Sequence, residues 1–250
     1  YWGVFDDPID KITKRRKIWA PLTRLVVDNT RKNVDLDSKD INYFSKKSAA
    51  YGTTQLLRAA TREYLNKTYY GEDMDDITFS VCVDPVAIMK VWPVKKANKT
   101  HIERRPVDPL NIYVDPTTEN IQSAYRFTER ALLTKDQIKR EKGWINTDQA
   151  VATDSQNVRD AYGYIRAGGT TKYVDVYEMW GKIPKYLLDL GESDEEIDGH
   201  IIVSGLDNGN PVLHLIEKNT TRDNEGNIVK PYEDTRYMKI PWSFYGVSPA

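Results

Sequence analysis

The sequence has too few cysteines and histidines for the common disulfide and metal frameworks. Its 250 residues include one cysteine, Cys82, and three histidines, His101, His200 and His214. A single cysteine excludes an internal disulfide and a cysteine-based zinc cluster. A histidine metal site would need all three histidines to converge, and we expect His200 and His214 to be ordinary packed or surface residues. The sequence therefore predicts neither a metal nor a cofactor.

The short motifs of nucleotide and acyl-transfer enzymes are also missing. The sequence contains no GxxxxGK[ST], no GxGxxG and no GxSxG, which mark phosphate loops, dinucleotide folds and serine nucleophiles. His101-Ile102-Glu103 matches the first half of the zinc deaminase signature. Its second half needs two cysteines, so we interpret this pair as polar residues at a strand end. These absences predict a protein that is not an enzyme.

Charge of one sign and long apolar runs are absent as well. The chain has 36 basic and 37 acidic residues, and its net charge is −1. This balance excludes a bulk positive field of the kind that grips nucleic acid. We interpret the cluster Lys11–Lys17 as a solvated helix face, and Lys95, Lys96 and Lys99 in the same way. No apolar run approaches the roughly 20 residues that cross a bilayer, so we expect no membrane contact.

Aromatic residues are plentiful, with 16 Tyr and 6 Trp. Such a composition suits broad packing surfaces, because Tyr and Trp combine apolar area with a polar group. The closing segment Lys239–Ala250 holds three aromatics between two prolines, which predicts an ordered, extended segment with buried aromatics. Since the sequence starts at Tyr1 and stops just after this segment, we interpret it as part of a longer protein.

Hydrophobic periodicity predicts helices in the first part of the chain. Asp7 and Pro8 can cap and open a first helix, and Pro21 interrupts it before a second. Apolar residues at helical spacing then predict a helix over Ile41–Tyr70, which Gly71 would end. We expect the acidic residues that follow, Glu72–Asp76, to form a loop.

Strands are predicted from there onward. Strict alternation over Ile77–Val83 predicts a strand that Asp84 and Pro85 turn, giving a hairpin over Ile77–Trp92. Thr134 and Gln137 form a capping box for a short helix. Further strands are expected at Ile102–Arg104, Ser123–Ala131, Lys172–Lys182, His200–Ser204 and Val212–Glu217. The fold class is α+β: helices and a hairpin over residues 1–100 pack on a mixed or antiparallel β-rich region over residues 101–250.

Glu178 is the best candidate for an acid–base residue. On a strand it shares a face with Val174, Val176 and Trp180, whereas Asp175 points to the other face. A carboxylate among apolar neighbours normally pairs with Arg or Lys, and this is the interpretation we favour. The alternative is a raised pKa and a role as catalytic acid.

The order of several segments resembles the N-terminal part of a tailed-bacteriophage portal protein, the head-to-tail connector, of the P22-like podovirus or a related type. The last segment is similar to a P-x-x-x-Y-G-x-S approach to the portal stem. The matching segments are two helices, the hairpin Ile77–Trp92, the proline-rich Arg105–Pro116, the capped helix after Leu133, Tyr173–Trp180 and Lys239–Ala250.

This resemblance implies the wing of a portal, with the stem, clip and crown beyond Ala250. The resemblance also implies a ring of subunits, usually a dodecamer, at one capsid vertex. Double-stranded DNA would pass through the channel of this ring during packaging and ejection. The implied partners are identical subunits, the major capsid protein, the terminase, and head-tail adaptor and tail proteins. The implied location is the virion, after assembly in the bacterial host cytoplasm. The near-neutral charge suits a channel that lets DNA slide.

Two other functions stay open from the sequence. One is a hydrolase, with a carbohydrate substrate, that uses Glu178 and a second carboxylate across a cleft. The other is a different virion component, a head-tail adaptor or a tail protein. A stem and clip in the sequence after Ala250 would favour the portal over both.

Overall fold

The computed structural model describes residues 22–33, 41–96, 99–115, 117–152, 173–188, 195–206 and 209–248. The protein is α+β, as predicted, with helices and two antiparallel sheets. The chain forms two compact units. Unit 1 takes its described residues from Tyr1–Val107, Asp234–Ile240 and Tyr245–Ala250, and unit 2 takes them from Asp108–Glu233 and Pro241–Phe244.

Unit 1 begins with helices α1 (Leu22–Asn33), α2 (Tyr51–Lys67) and α3 (Tyr70–Val83). The expected helix over Ile41–Tyr70 is therefore shorter at its start. It ends at Lys67 rather than at Gly71, with Thr68 as its C-cap, because Tyr69 adopts the left-handed conformation with φ 54°. The expected helix at Asp7 and Pro8 lies outside the described residues.

The strand predicted over Ile77–Val83 is wrong, since these residues complete α3. Its buried residues Ile77, Thr78 and Cys82 lie on one face of a helix rather than at every second position. The expected acidic loop is instead the start of α3, where Glu72 and Asp73 favour the positive end of the helix dipole. The acidic residues of the first turn therefore predict the secondary structure here better than the apolar alternation over seven residues does.

The hairpin of unit 1 consequently lies later than the predicted Ile77–Trp92. It joins β1 (Ala87–Lys96) to β2 (Lys99–Val107), in a register that runs from Ile88 opposite Val107 to Lys96 opposite Lys99. The short strand β8 (Tyr232–Thr235) completes the order β2-β1-β8. The basic residues Lys95, Lys96 and Lys99 therefore lie at the tip of this hairpin.

Unit 2 is built on a five-stranded antiparallel sheet of order β3-β4-β5-β6-β7. The strands predicted in this half of the chain are confirmed, with boundaries shifted by a few residues. Their bounds are β3 (Ile112–Val114), β4 (Arg126–Thr134), β5 (Tyr173–Pro184), β6 (Glu196–Ser204) and β7 (Val212–Lys218).

Helix α4 (Lys135–Arg140) covers one face of this sheet, and the predicted capping box starts it. Thr134 accepts from the backbone N–H of Gln137, whose side chain accepts from the backbone N–H of Thr134. The buried Ile138 of α4 then packs on apolar strand residues. The core cluster is Ile138, Ala150, Val174, Val176 and Ile202.

The described part of the closing segment, residues 239–248, makes backbone hydrogen bonds to other segments, but its aromatics do not share one environment. The backbone N–H of Gly246 donates to Pro85 O at 2.8 Å, and that of Val247 donates to Met238 O at 2.9 Å. Phe244 is buried, whereas Trp242 is 83% exposed and has a left-handed φ of 58°. The expectation that these aromatics would all be buried is wrong for Trp242 and for Tyr245, which is 44% exposed.

Candidate functional site

Glu178 lies on β5, on the sheet face where the sequence placed it. The indole Nε1–H of Trp180 donates to Glu178 Oε1 at 2.9 Å, and His200 Nε2 lies 3.2 Å from the same oxygen. His200 also stacks on Trp180, with ring centroids 3.8 Å apart, and its Nδ1 lies 2.9 Å from Glu217 Oε1. An indole N–H thus donates to the carboxylate of Glu178 and a histidine ring lies beside it, whereas the expected Arg or Lys partner stays a prediction.

A second carboxylate, Glu129, lies directly opposite Glu178 in the register of β4 and β5. The residue is 4% exposed, and its Oε2 accepts from the hydroxyl of Tyr232 at 2.6 Å. Two carboxylates on one sheet face are the minimum for glycoside hydrolysis. Both groups here are bound to other side chains, however, and neither lines the cavity of unit 2 described below. Sequence analysis missed Glu129 because only the strand register brings it beside Glu178.

Asp175 points to the opposite face, as expected, and forms an ion pair with Arg130. Arg130 Nε donates to Asp175 Oδ1 at 2.7 Å, and Arg130 Nη2 lies 2.5 Å from the same oxygen. Both side chains are largely buried. This pair satisfies the charge of Asp175, and its arrangement is that of a structural ion pair.

Ser204 and His214 form a pair that resembles a nucleophile and its base. Ser204 Oγ lies 2.8 Å from His214 Nε2, and His214 Nδ1 lies 3.0 Å from Ile145 O. Since a carbonyl accepts only, Nδ1 carries the proton and Nε2 accepts from the serine hydroxyl. Both residues are 0% exposed, so no substrate reaches the hydroxyl. The pair instead fixes the segment at Ile145 to β7, where the backbone N–H of Ile145 also donates to His214 O.

The other sequence candidates do not assemble into a reactive site. His101 and Glu103 lie on β2, with His101 exposed. Cys82 is buried, and burial raises the pKa of its thiol. Within the described part of the chain, no three His, Cys, Asp or Glu side chains are grouped to hold a metal. The basic cluster Lys11–Lys17 lies outside the described residues.

Unit 2 contains a polar cavity of 370 Å³ that sequence analysis did not predict. Lys182, Asp198 and Lys230 supply its charges. Lys182 Nζ forms an ion pair with Asp198 Oδ2 at 2.7 Å, and Lys230 Nζ donates to Gln122 O at 3.0 Å and Ala124 O at 2.9 Å. These residues come from separate segments, so no local motif announces the cavity.

The charged residues that line this cavity are two lysines and one aspartate. Burial lowers the pKa of Lys230 below its ordinary value, the carboxylate of Asp198 opposes this change, and the charge of Lys182 adds to it. The two ammonium groups thus share one carboxylate. Desolvation of a cation without a full counter-charge is unfavourable, and a bound anion would relieve it.

Helix α2 exposes large apolar side chains on the surface of unit 1. None of the residues of Tyr51–Lys67 is buried. Leu56 is 74% exposed and Leu57 is 49% exposed, and Phe44 just before the helix is 92% exposed. The half-buried Tyr64 anchors the helix, because its hydroxyl donates to Ile102 O at 3.0 Å. An amphipathic helix with an uncovered apolar face is typical of a surface that packs on another molecule.

Comparison with known proteins assigns no family to the chain. No family model matches it, and no curated protein matches it. Among the described residues, no helix is both long and apolar enough to cross a membrane.

Proposed function

We propose that the chain is the wing of a tailed-bacteriophage portal protein that assembles into a ring of identical subunits. In this role it builds the wall around the DNA channel at one capsid vertex. It also provides a platform for the terminase during packaging and for adaptor and tail proteins afterwards. The portal itself carries out no chemical step.

The observation that carries this proposal is the apolar surface of α2. This 17-residue helix has no fully buried residue, so it buries little apolar surface within its own subunit. Burial of large apolar side chains is the main stabilising term in helix packing. The exposed Leu56 and Leu57 are therefore best explained by contact with a neighbouring subunit, which a ring supplies through heterologous contacts.

The order of segments in the sequence also supports the proposal, although the structure differs from the expectation in one segment. The hairpin expected over Ile77–Trp92 is replaced by the end of α3 and the start of β1. The resemblance otherwise rests on the sequence order of the helices, the proline-rich Arg105–Pro116, the capped helix after Leu133, Tyr173–Trp180 and Lys239–Ala250.

Native mass spectrometry of the full-length protein over a range of salt concentrations tests the proposal. We expect a closed oligomer of identical subunits that persists at high salt, since an apolar contact is not screened. A protein that stays monomeric at every salt concentration would refute the portal assignment. An assembly without a continuous channel would favour an adaptor or a tail protein instead.

The position of Glu129 opposite Glu178 favours one alternative, a carbohydrate-active hydrolase. In that enzyme the two carboxyl groups would act as acid and base or nucleophile, about 5–10 Å apart across the scissile bond. Glu178→Gln separates the two functions. Loss of a glycosidase activity that the exposed Glu141→Gln retains would support the hydrolase. Ring assembly by Glu178→Gln, without any such activity in the parent protein, supports the portal.

A further inference from the structure

We propose that the cavity of unit 2 binds a small oxyanion, either a carboxylate or a phosphate monoester. Lys182 and Lys230 line this cavity together with Asp198, which is the only carboxylate among the described lining residues. This inference is independent of the proposed ring, because all of these residues belong to unit 2.

The two lysines keep hydrogen-bond donors for a ligand. An ammonium group has three N–H donors. Lys230 uses two of them on the carbonyls of Gln122 and Ala124, and Lys182 uses one on Asp198. One donor of Lys230 and two of Lys182 are therefore uncommitted. An oxyanion would accept from both lysines through charge-assisted bonds, which are stronger than neutral ones.

The backbone around the cavity holds these lysines in place. The side-chain amide of Gln122 accepts from the backbone N–H of Lys230 at 2.9 Å and donates to Lys230 O at 3.0 Å. The backbone N–H of Lys182 donates to Tyr125 O at 3.0 Å, next to Gly181 with φ 138°. A Cβ at Gly181 would collide with that same carbonyl oxygen. The donors are thus positioned before a ligand arrives, which lowers the entropic cost of binding.

The volume of the cavity limits the size of the ligand. Its 370 Å³ lies at the small end of the range for small-molecule sites, roughly 300–1,000 Å³. It accommodates an oxyanion attached to a small organic group. The lowered pKa of Lys230 supports this assignment, since an anion would replace the hydration that burial removes from the ammonium group.

Nuclear magnetic resonance of the full chain with ¹³C-labelled lysine tests the site. Inorganic phosphate and acetate are titrated separately at constant ionic strength, with chloride as the reference. We expect a saturable shift of the Lys182 and Lys230 Cε signals with at least one of the two anions. Saturation by phosphate alone assigns phosphate esters, and saturation by acetate alone assigns carboxylates. The absence of saturation with both anions overturns the proposal.

Three variants distinguish a binding site from a local charge effect. Lys182→Met removes two donors and leaves Asp198 to compete for Lys230, so we expect affinity to fall by about tenfold or more. Asp198→Asn removes the competing carboxylate, so affinity rises several-fold. Lys142→Met, an exposed lysine outside the cavity, leaves affinity unchanged. Equal anion affinity in all three variants would contradict the assignment. The test does not need a variant of Lys230.

Discussion

The apolar surface of α2 makes a quantitative prediction for assembly. Replacement of Leu56 and Leu57 by glutamine keeps helix propensity nearly constant but removes two exposed apolar side chains. Leu56 is 74% and Leu57 is 49% exposed. Since full burial of one leucine contributes about 1.5–3 kcal/mol, covering these exposed fractions stabilises each subunit contact by about 2–4 kcal/mol. Their loss should weaken association by about 30-fold or more.

Sedimentation of the full-length protein over a concentration series measures this effect. The matched control is glutamine at Leu110 and Leu206 of unit 2, which are 74% and 47% exposed. We expect the control protein to assemble like the parent protein. Both doubly substituted proteins should have the melting temperature of the parent, because surface substitutions usually change stability by less than about 0.5 kcal/mol. Unchanged assembly after substitution of Leu56 and Leu57 would refute the reasoning about α2.

Three further predictions concern the stability of the two units. Arg104→Met should destabilise unit 1 by about 3 kcal/mol in chemical denaturation. It leaves the half-buried Asp73, now 2.6 Å from Nε of the buried Arg104, without its counter-charge; a change below about 1 kcal/mol would contradict this. Thr134→Ala should cost unit 2 about 1 kcal/mol through loss of the helix cap, and Thr134→Ser should restore it. Gly181→Ala should lower the melting temperature, since the added Cβ meets a backbone oxygen; a melting temperature equal to that of the parent would argue against that steric conflict.

The elements of unit 2 could be predicted from sequence because local signals agree there. Lys172–Lys182 is rich in β-branched and aromatic residues, and the structure has β5 at Tyr173–Pro184. The capping box at Thr134 and Gln137 stands just before the residues that form α4. In each of these segments, composition, turn residues and periodicity favour the same secondary structure.

The prediction failed at α3 because two local signals disagree. Ile77, Phe79, Val81 and Val83 alternate as in a strand, but the acidic first turn of the segment favours a helix. Burial decided between them, since a helix brings Ile77, Thr78 and Cys82 to the same side. A period of two and a period of 3.6 are hard to separate over seven residues.

The candidate sites depend on register and on distant segments, which a single sequence does not reveal. Glu129 and Glu178 are 49 positions apart and become neighbours only through the pairing of β4 with β5. The cavity likewise needs Lys182 on β5, Asp198 on β6 and Lys230 from a later loop. The individual residues were visible in the sequence, but their juxtaposition was not.

The proposed ring can be seen in a cryo-electron microscopy map of the full-length protein. We expect a closed ring of identical subunits around a channel wide enough for double-stranded DNA. In that ring the face of α2 that carries Leu56 and Leu57 packs on the adjacent subunit. A map of a monomer, or a ring in which this face of α2 remains in solvent, would contradict it.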